Sequence, residues 1–228
     1  MRPLQILIFT ILLSVPVTLM AQVKIIAVGE VSDDNWMPIN DANVLKSMKL
    51  NYKKPAIFSE VIGMECFNEN ARLNQILNCA NHQLHADDSQ FIAFIRIEKP
   101  FSKADSIDLK KFMPGGNFDH IDKQHTNYIR GDIRNSMGKD ASLNWKQYVT
   151  YYSAKEAKTK FNADSAVFVP IKLDSQDYYK GKYNNLEALY LQKKGRGFVN
   201  FYCFYTDKAK KNLSEYRKAI EGIFRYED

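Results

Sequence analysis

The chain has 228 residues, of which 45% are hydrophobic and 25% charged, with a formal charge of +6. That balance excludes a disordered or collagen-like polymer, and only the N-terminal stretch is apolar enough to enter a membrane, which excludes a multi-span membrane protein. At roughly 100–200 residues per domain, the length allows one large domain or two small ones.

Met1-Arg2-Pro3 is a short basic start, and Leu4 to Val17 is nearly all apolar. No further charge appears before Lys24, and Ala21 supplies a small residue just before Gln22. A basic start, a short apolar core and a small exit residue form the pattern of a secretory signal peptide, here 1–21. A permanent anchor wants about 20 apolar residues, and Ser14, Pro16 and Thr18 shorten this run. With no cysteine at the cut to carry a lipid, the expectation is a periplasmic or secreted protein without a stable membrane anchor. Its body, 22–228, then reads as one domain, because no linker, repeat or low-complexity tract divides it. The mild basic surplus is smaller than the concentrated patches of a nucleic-acid binder; it fits an acidic surface or a glycan as well as it fits no charged partner, so a protein or glycan partner stays open.

Along this body, 23–31 (VKIIAVGEV) reads as a strand and Asp33-Asp34-Asn35 as a break. Met48, Leu50 and Tyr52 alternate with polar residues in the period-two pattern of a half-buried strand, and 59–67 is a second short β candidate. Leu73, Ile76, Leu77 and Ala80 keep helical spacing, and Asn68 could cap that helix. The dense apolar run 91–97 (FIAFIRI) suits a buried strand. Pro114-Gly115-Gly116-Asn117 marks a loop, after which Ile121, His125, Tyr128, Ile129 and Ile133 predict a helix stopped by Gly138.

Residues 145–152 (WKQYVTYY) are aromatic and β-branched, hence strand-like. Ser153 to Glu156 spells a capping box opening a helix to Phe161, and 166–171 is β again, with Pro170 favouring an edge or an end. Leu186–Gln192 and Phe198–Tyr205 flank a Gly-containing turn and read as a hairpin. Thr206-Asp207 then caps an amphipathic helix whose apolar stripe is Ala209, Leu213, Tyr216, Ile220 and Ile223. The fold class follows: α+β, an antiparallel-rich sheet covered by helices, ending in a β-hairpin and a C-terminal amphipathic helix.

This order resembles the Mog1/PsbP-like α/β/α sandwich. The cues are Tyr52-Lys53-Lys54-Pro55-Ala56-Ile57-Phe58 after a strand, the β run at 91–97, and the final hairpin followed by a docking helix ending Ile220-Glu221-Gly222-Ile223-Phe224-Arg225. The resemblance implies a non-catalytic adaptor or accessory role.

Of the three cysteines, Cys66 and Cys79 are the one pair considered for a bridge, although a chain this long can build a core without one. Cys203, within an aromatic run, reads as a buried inert thiol. Cys79, His82 and His85 carry zinc-ligand chemistry, but on a continuous helix Cys79 and His85 point roughly 120° apart. The residues therefore read as a helix end with both imidazoles in solvent, and no metal site is assigned. Asp119 and His120, with His125 beyond, have the parts of a small active-site loop, yet loop followed by helix start explains the same letters. No nucleophile elbow, phosphate loop or dinucleotide fingerprint is present, so no cofactor and no catalytic residue is assigned.

The preferred binding site is Tyr178, Tyr179, Lys180, Lys182 and Tyr183, where aromatic faces and cations share a loop that could anchor a protein or glycan. The same letters also suit tyrosines covering a sheet edge. The function expected is an exported, non-enzymatic binding or accessory protein. The alternative is an extracytoplasmic hydrolase, metal-assisted or not, using His120 or His125 with nearby carboxylates.

Overall fold

Alternation within the apolar strands determines the layers. A computed structural model describes residues 39–67, 69–77, 79–99 and 124–228; of its two compact units, 1–40 and 41–228, the fold below is the second. The leader, the strand expected at 23–31, Asn68, the Pro114–Asn117 loop, Ile121, Asp119 and His120 all lie outside the described residues.

The elements are α1 (Ile39–Met48), β1 (Leu50–Tyr52), β2 (Phe58–Cys66), α2 (Ala71–Ile76), β3 (Cys79–Ala86), β4 (Phe91–Glu98), α3 (Gln124–Met137), α4 (Lys139–Leu143), β5 (Thr150–Tyr151), α5 (Ala154–Phe161), β6 (Ser165–Ile171), β7 (Asn185–Lys193), β8 (Gly197–Tyr205), α6 (Leu213–Glu221) and β9 (Phe224–Tyr226). Seven strands form one antiparallel sheet in the order β2-β3-β4-β8-β7-β6-β5, and β1 pairs with β9 in a separate ribbon. This is the α+β architecture expected from the sequence.

In β4 and β8, successive side chains go to opposite faces. Ile92, Phe94, Tyr202 and Phe204 join Leu73 and Ile76 of α2 and Ile129 and Ile133 of α3 in one buried cluster. On the other face Phe91 stacks on Tyr216 of α6, with ring centres 4.7 Å apart, and Phe201 packs on Phe224 of β9. The sheet is thus covered on both sides, which explains why β4 and β8 are apolar almost throughout.

The local signals work where the backbone demands them. Ser153 and Glu156 form the capping box of α5, and the β7–β8 hairpin closes through Lys193↔Gly197 with Gly195 at φ 71°. β5 pairs only at Thr150↔Phe168 and Tyr151↔Val167. Pro170 therefore lies beyond its reach, on the open margin of β6, where a missing N–H costs nothing.

Four expectations are corrected. The helix after residue 68 stops at Ile76; its cap is Asn70, whose side chain accepts from the Arg72 and Leu73 amides, and Cys79 already opens β3. Pairing of Cys79 with Cys66 and of Leu84 with Glu60 overrides the helical spacing that Ala80 continues. Residues 145–148 form a 3-10 turn, leaving a strand of only two residues, because strand propensity yields to context. The C-terminal helix begins with a 3-10 turn over Asp207–Asn212 and ends at Glu221, after which Phe224–Tyr226 return as a strand. Helix α1, with little apolar periodicity, is absent from the sequence reading.

Candidate functional site

The tyrosine- and lysine-rich loop folds into a tight turn in which the Tyr179 and Tyr183 main chains bond each other at 3.1 and 3.2 Å. Their rings point inward, with 6% and 3% of their surface exposed. Tyr179 meets Phe94 edge-on at 5.3 Å and donates to Glu65 Oε1 at 3.0 Å; Tyr183 donates to the Ser89 carbonyl at 3.1 Å. Tyr178 is half-buried, while Lys180 and Lys182 are exposed and lay their ammonium groups over the two rings at 5.0 and 4.8 Å. Arg72 clamps the preceding segment through Asp174, the buried Asp177 and the Ser136 and Lys172 carbonyls. The structure thus brings the five residues together, with Lys180 and Lys182 as their exposed part.

Cys79 is bonded to Cys66 in a disulfide across β2 and β3, which removes its thiolate from metal chemistry. His82 and His85 lie on β3 instead of a helix end. His82 is buried, correcting the expectation that it faces solvent, and His85 is half-buried with Nε2 3.2 Å from Gln83 Oε1. Burial lowers the His85 pKa, and the nearby Lys180 charge lowers it further. Among the described residues, no three His, Cys, Asp or Glu side chains group for a metal ion. Cys203 is buried and free, with its thiol pKa pushed well up by burial and by Glu187.

A different constellation lies under α3. A cavity of about 280 Å³ is lined by Gln75, Ile76, Arg96, Asn127, Tyr128, Gly131, Asp132 and Asn135. Helix α3 presents Asp132 toward the sheet because Asp132 lies four residues after Tyr128 and seven after His125, on the inward stripe of the helix. Its carboxyl is buried, and Tyr190 and Tyr202, both without exposed surface, donate to the same oxygen, Oδ2. Burial pushes the Asp132 pKa up to about 7, against the opposing pull of the two hydroxyls and the Arg96 charge.

Arg96 is held from the other side. Its Nη2 donates to Glu98 Oε1 at 2.6 Å, Tyr128 donates to Glu98 Oε2 at 2.9 Å, and the guanidinium lies 5.1 Å from the Tyr128 ring centre. Sheet register sets Asn200 directly between Arg96 on β4 and Tyr190 on β7. Asn200 has no exposed surface, and among the described residues neither end of its amide has a hydrogen-bond partner. His125, also buried, has an unpartnered Nε2; burial lowers its pKa to about 4, so it is neutral at physiological pH. Buried polar atoms without partners are rare enough to need a reason.

Of the two histidines considered for catalysis, His120 and His125, only His125 is among the described residues. It packs 6.1 Å from the Tyr190 ring and 6.4 Å from that of Phe198. Arg96, Asp132 and Asn200 escaped the sequence reading because each lies inside an apolar element. The signal was present in that misfit: a charge in FIAFIRIE, a carboxylate on the apolar stripe of α3, and an amide in FVNFYCFY.

Comparison of the chain with protein-family models, curated proteins and solved structures gave no match.

Proposed function

We propose that this is an exported, non-enzymatic binding protein that takes a small polar ligand in the cavity under α3. The cavity carries the reading: a concave space with a few convergent polar groups is the usual form of a small-molecule site, and here those groups are oriented in advance. Glu98 and Tyr128 fix Arg96, while Tyr190 and Tyr202 fix Asp132, so little ordering is left for the ligand to impose. Export is supported by the apolar leader and by the Cys66–Cys79 bond, since disulfides persist mainly in oxidising compartments. No helix among the described residues is long and apolar enough to cross a membrane. The hairpin followed by helix α6 supports a Mog1/PsbP-like scaffold, and Lys180 and Lys182 remain a place where an acidic partner could touch it.

Gly131 provides the test. It lines the cavity, and a Cβ built on it meets nothing within 4 Å. Leucine there starts its side chain in open space and points bulk into the cavity, and it removes a helix-interior glycine, which is worth about 1 kcal/mol. Thermal-shift measurements with monosaccharides, amino acids and diamines should find a compound that stabilises the wild type and not the folded Gly131→Leu variant. If every compound acts equally on both proteins, the cavity is not the binding site.

One observation favours the hydrolase reading. A carboxyl titrating near 7 suits general acid–base work, and Asp132 is such a group. That reading requires turnover of p-nitrophenyl esters or glycosides by the purified protein, abolished in Asp132→Asn.

A further inference from the structure

We infer that the cavity under α3 selects a neutral, hydroxyl-rich ligand about the size of one sugar ring. The inference rests on the binding reading above and adds the chemical class of the ligand. Size comes first: the open groove of about 280 Å³, just under the roughly 300–1,000 Å³ usual for small-molecule sites, accommodates a single ring.

Charge decides between classes. Among the described lining residues, Arg96 and Asp132 are the side chains that can carry a full charge, and both are already engaged. The Arg96 guanidinium is neutralised by Glu98 at 2.6 Å, and Glu98 in turn accepts from Tyr128. The Asp132 carboxyl holds two tyrosine hydroxyls on one oxygen, and its burial keeps a large share of it protonated near neutral pH. Among the described residues, an ammonium or carboxylate on the ligand would find no unpaired opposite charge there, and an ion that gives up water without gaining a partner is disfavoured.

A hydroxyl group meets the opposite situation. Asn127, Asn135 and Gln75 bring amides, each with a donor and an acceptor side by side. Asn135 spends only its NH₂ on the protein, donating to the Gln75 carbonyl at 3.0 Å. Neighbouring hydroxyls on a ring both donate and accept, so paired amides match them. A second observation points the same way. The amide of Asn200, register partner of the lining residue Arg96, is fully buried with both ends unpartnered among the described residues, so the strand beside Arg96 carries an uncharged polar group as well.

Isothermal titration with five probes tests this: D-glucose and D-galactose as neutral rings, D-glucuronate and D-glucosamine as rings of similar size bearing a negative or positive charge, and glycine as a small zwitterion. A neutral hexose should bind at least tenfold tighter than either charged sugar, and Gly131→Leu should weaken it at least tenfold. Asn135→Leu should weaken it similarly, which covers the case of a Gly131 variant that does not fold. If a charged sugar binds as tightly as the neutral ones and still loses binding in the variants, the cavity stands as the site and the neutral class is wrong. The neutral class is equally wrong if glycine alone binds with that sensitivity. If no probe responds to either substitution, both the class and the cavity reading fall.

Discussion

Tyr202 donates its hydroxyl to Asp132 Oδ2 at 2.9 Å across 70 residues of chain, joining the centre of the sheet to the helix that roofs the cavity. The bond satisfies a carboxyl that has almost no exposed surface, and it does so without supplying a countercharge. That combination has a consequence for stability. The folded Asp132 pKa, about 7, lies above its ordinary value of 3.8. The folded state therefore holds the proton more tightly than the unfolded state does. Asp132 contributes most below pH 4, and that contribution is lost as pH rises through about 7, a swing on the order of 4 kcal/mol. Asp132→Asn cannot titrate. Urea midpoints of wild type minus variant should fall steadily between pH 4 and pH 7.5; a difference that stays flat or rises over that range contradicts the burial argument.

Tyr179 and Lys180 are neighbours in sequence with opposite roles. Tyr179 packs among Phe67, Phe94 and Phe204, so Tyr179→Ala should cost about 3–5 kcal/mol, the usual penalty for removing a buried aromatic ring. Lys180 is exposed, and Lys180→Ala should stay within about 0.5 kcal/mol of wild type. Chemical denaturation of the two variants checks both values. Equal, small losses would mean that the ring is not part of the core.

This contrast shows what was legible in the sequence. Periodicity and punctuation report local geometry, so the capping box at Ser153, the hairpin at Gly195 and the run at Phe91–Glu98 could be read directly. The aromatic loop could not, because Tyr at a turn looks the same whether its ring turns out to a partner or in to Phe94. The cavity was hidden for a related reason. Arg96, Asp132 and Asn200 lie on three elements, and only sheet register and helix docking bring them together. Each is a polar residue in an otherwise apolar pattern, and such departures are where function tends to override local rules. Cys66 and Cys79 were visible as a pair, but their bonding depended on the antiparallel register of β2 and β3.

That register makes the disulfide a measurable contribution. The bond spans 13 residues of sequence, and closing a loop of about 15 residues removes unfolded-state entropy worth about 3 kcal/mol. The double variant Cys66→Ala/Cys79→Ala should therefore unfold at lower urea, with a loss of about 2–4 kcal/mol. Wild type in reductant should shift by the same amount, while the double variant should ignore reductant, because Cys203 is buried and unbonded. A reductant effect that persists in the double variant would assign the sensitivity to some other bond.

Asn200 gives the sharpest separation of fold from function. A side chain with no exposed surface and two unpartnered polar ends costs the fold about 1–3 kcal/mol relative to an apolar group of similar shape. Asn200→Val is closer in volume and removes both orphans, so it should raise the urea stability by about 1 kcal/mol. The same change sets an apolar group beside Arg96, which lines the cavity, and Tyr190, so a hexose that binds the wild type should bind the variant more weakly through the altered setting of Arg96. Gain in stability with loss of binding is the pattern of a residue kept for function at the expense of the fold. A variant less stable than wild type would instead place an ordered water on the amide, making Asn200 a structural residue, and unchanged binding would detach it from the cavity.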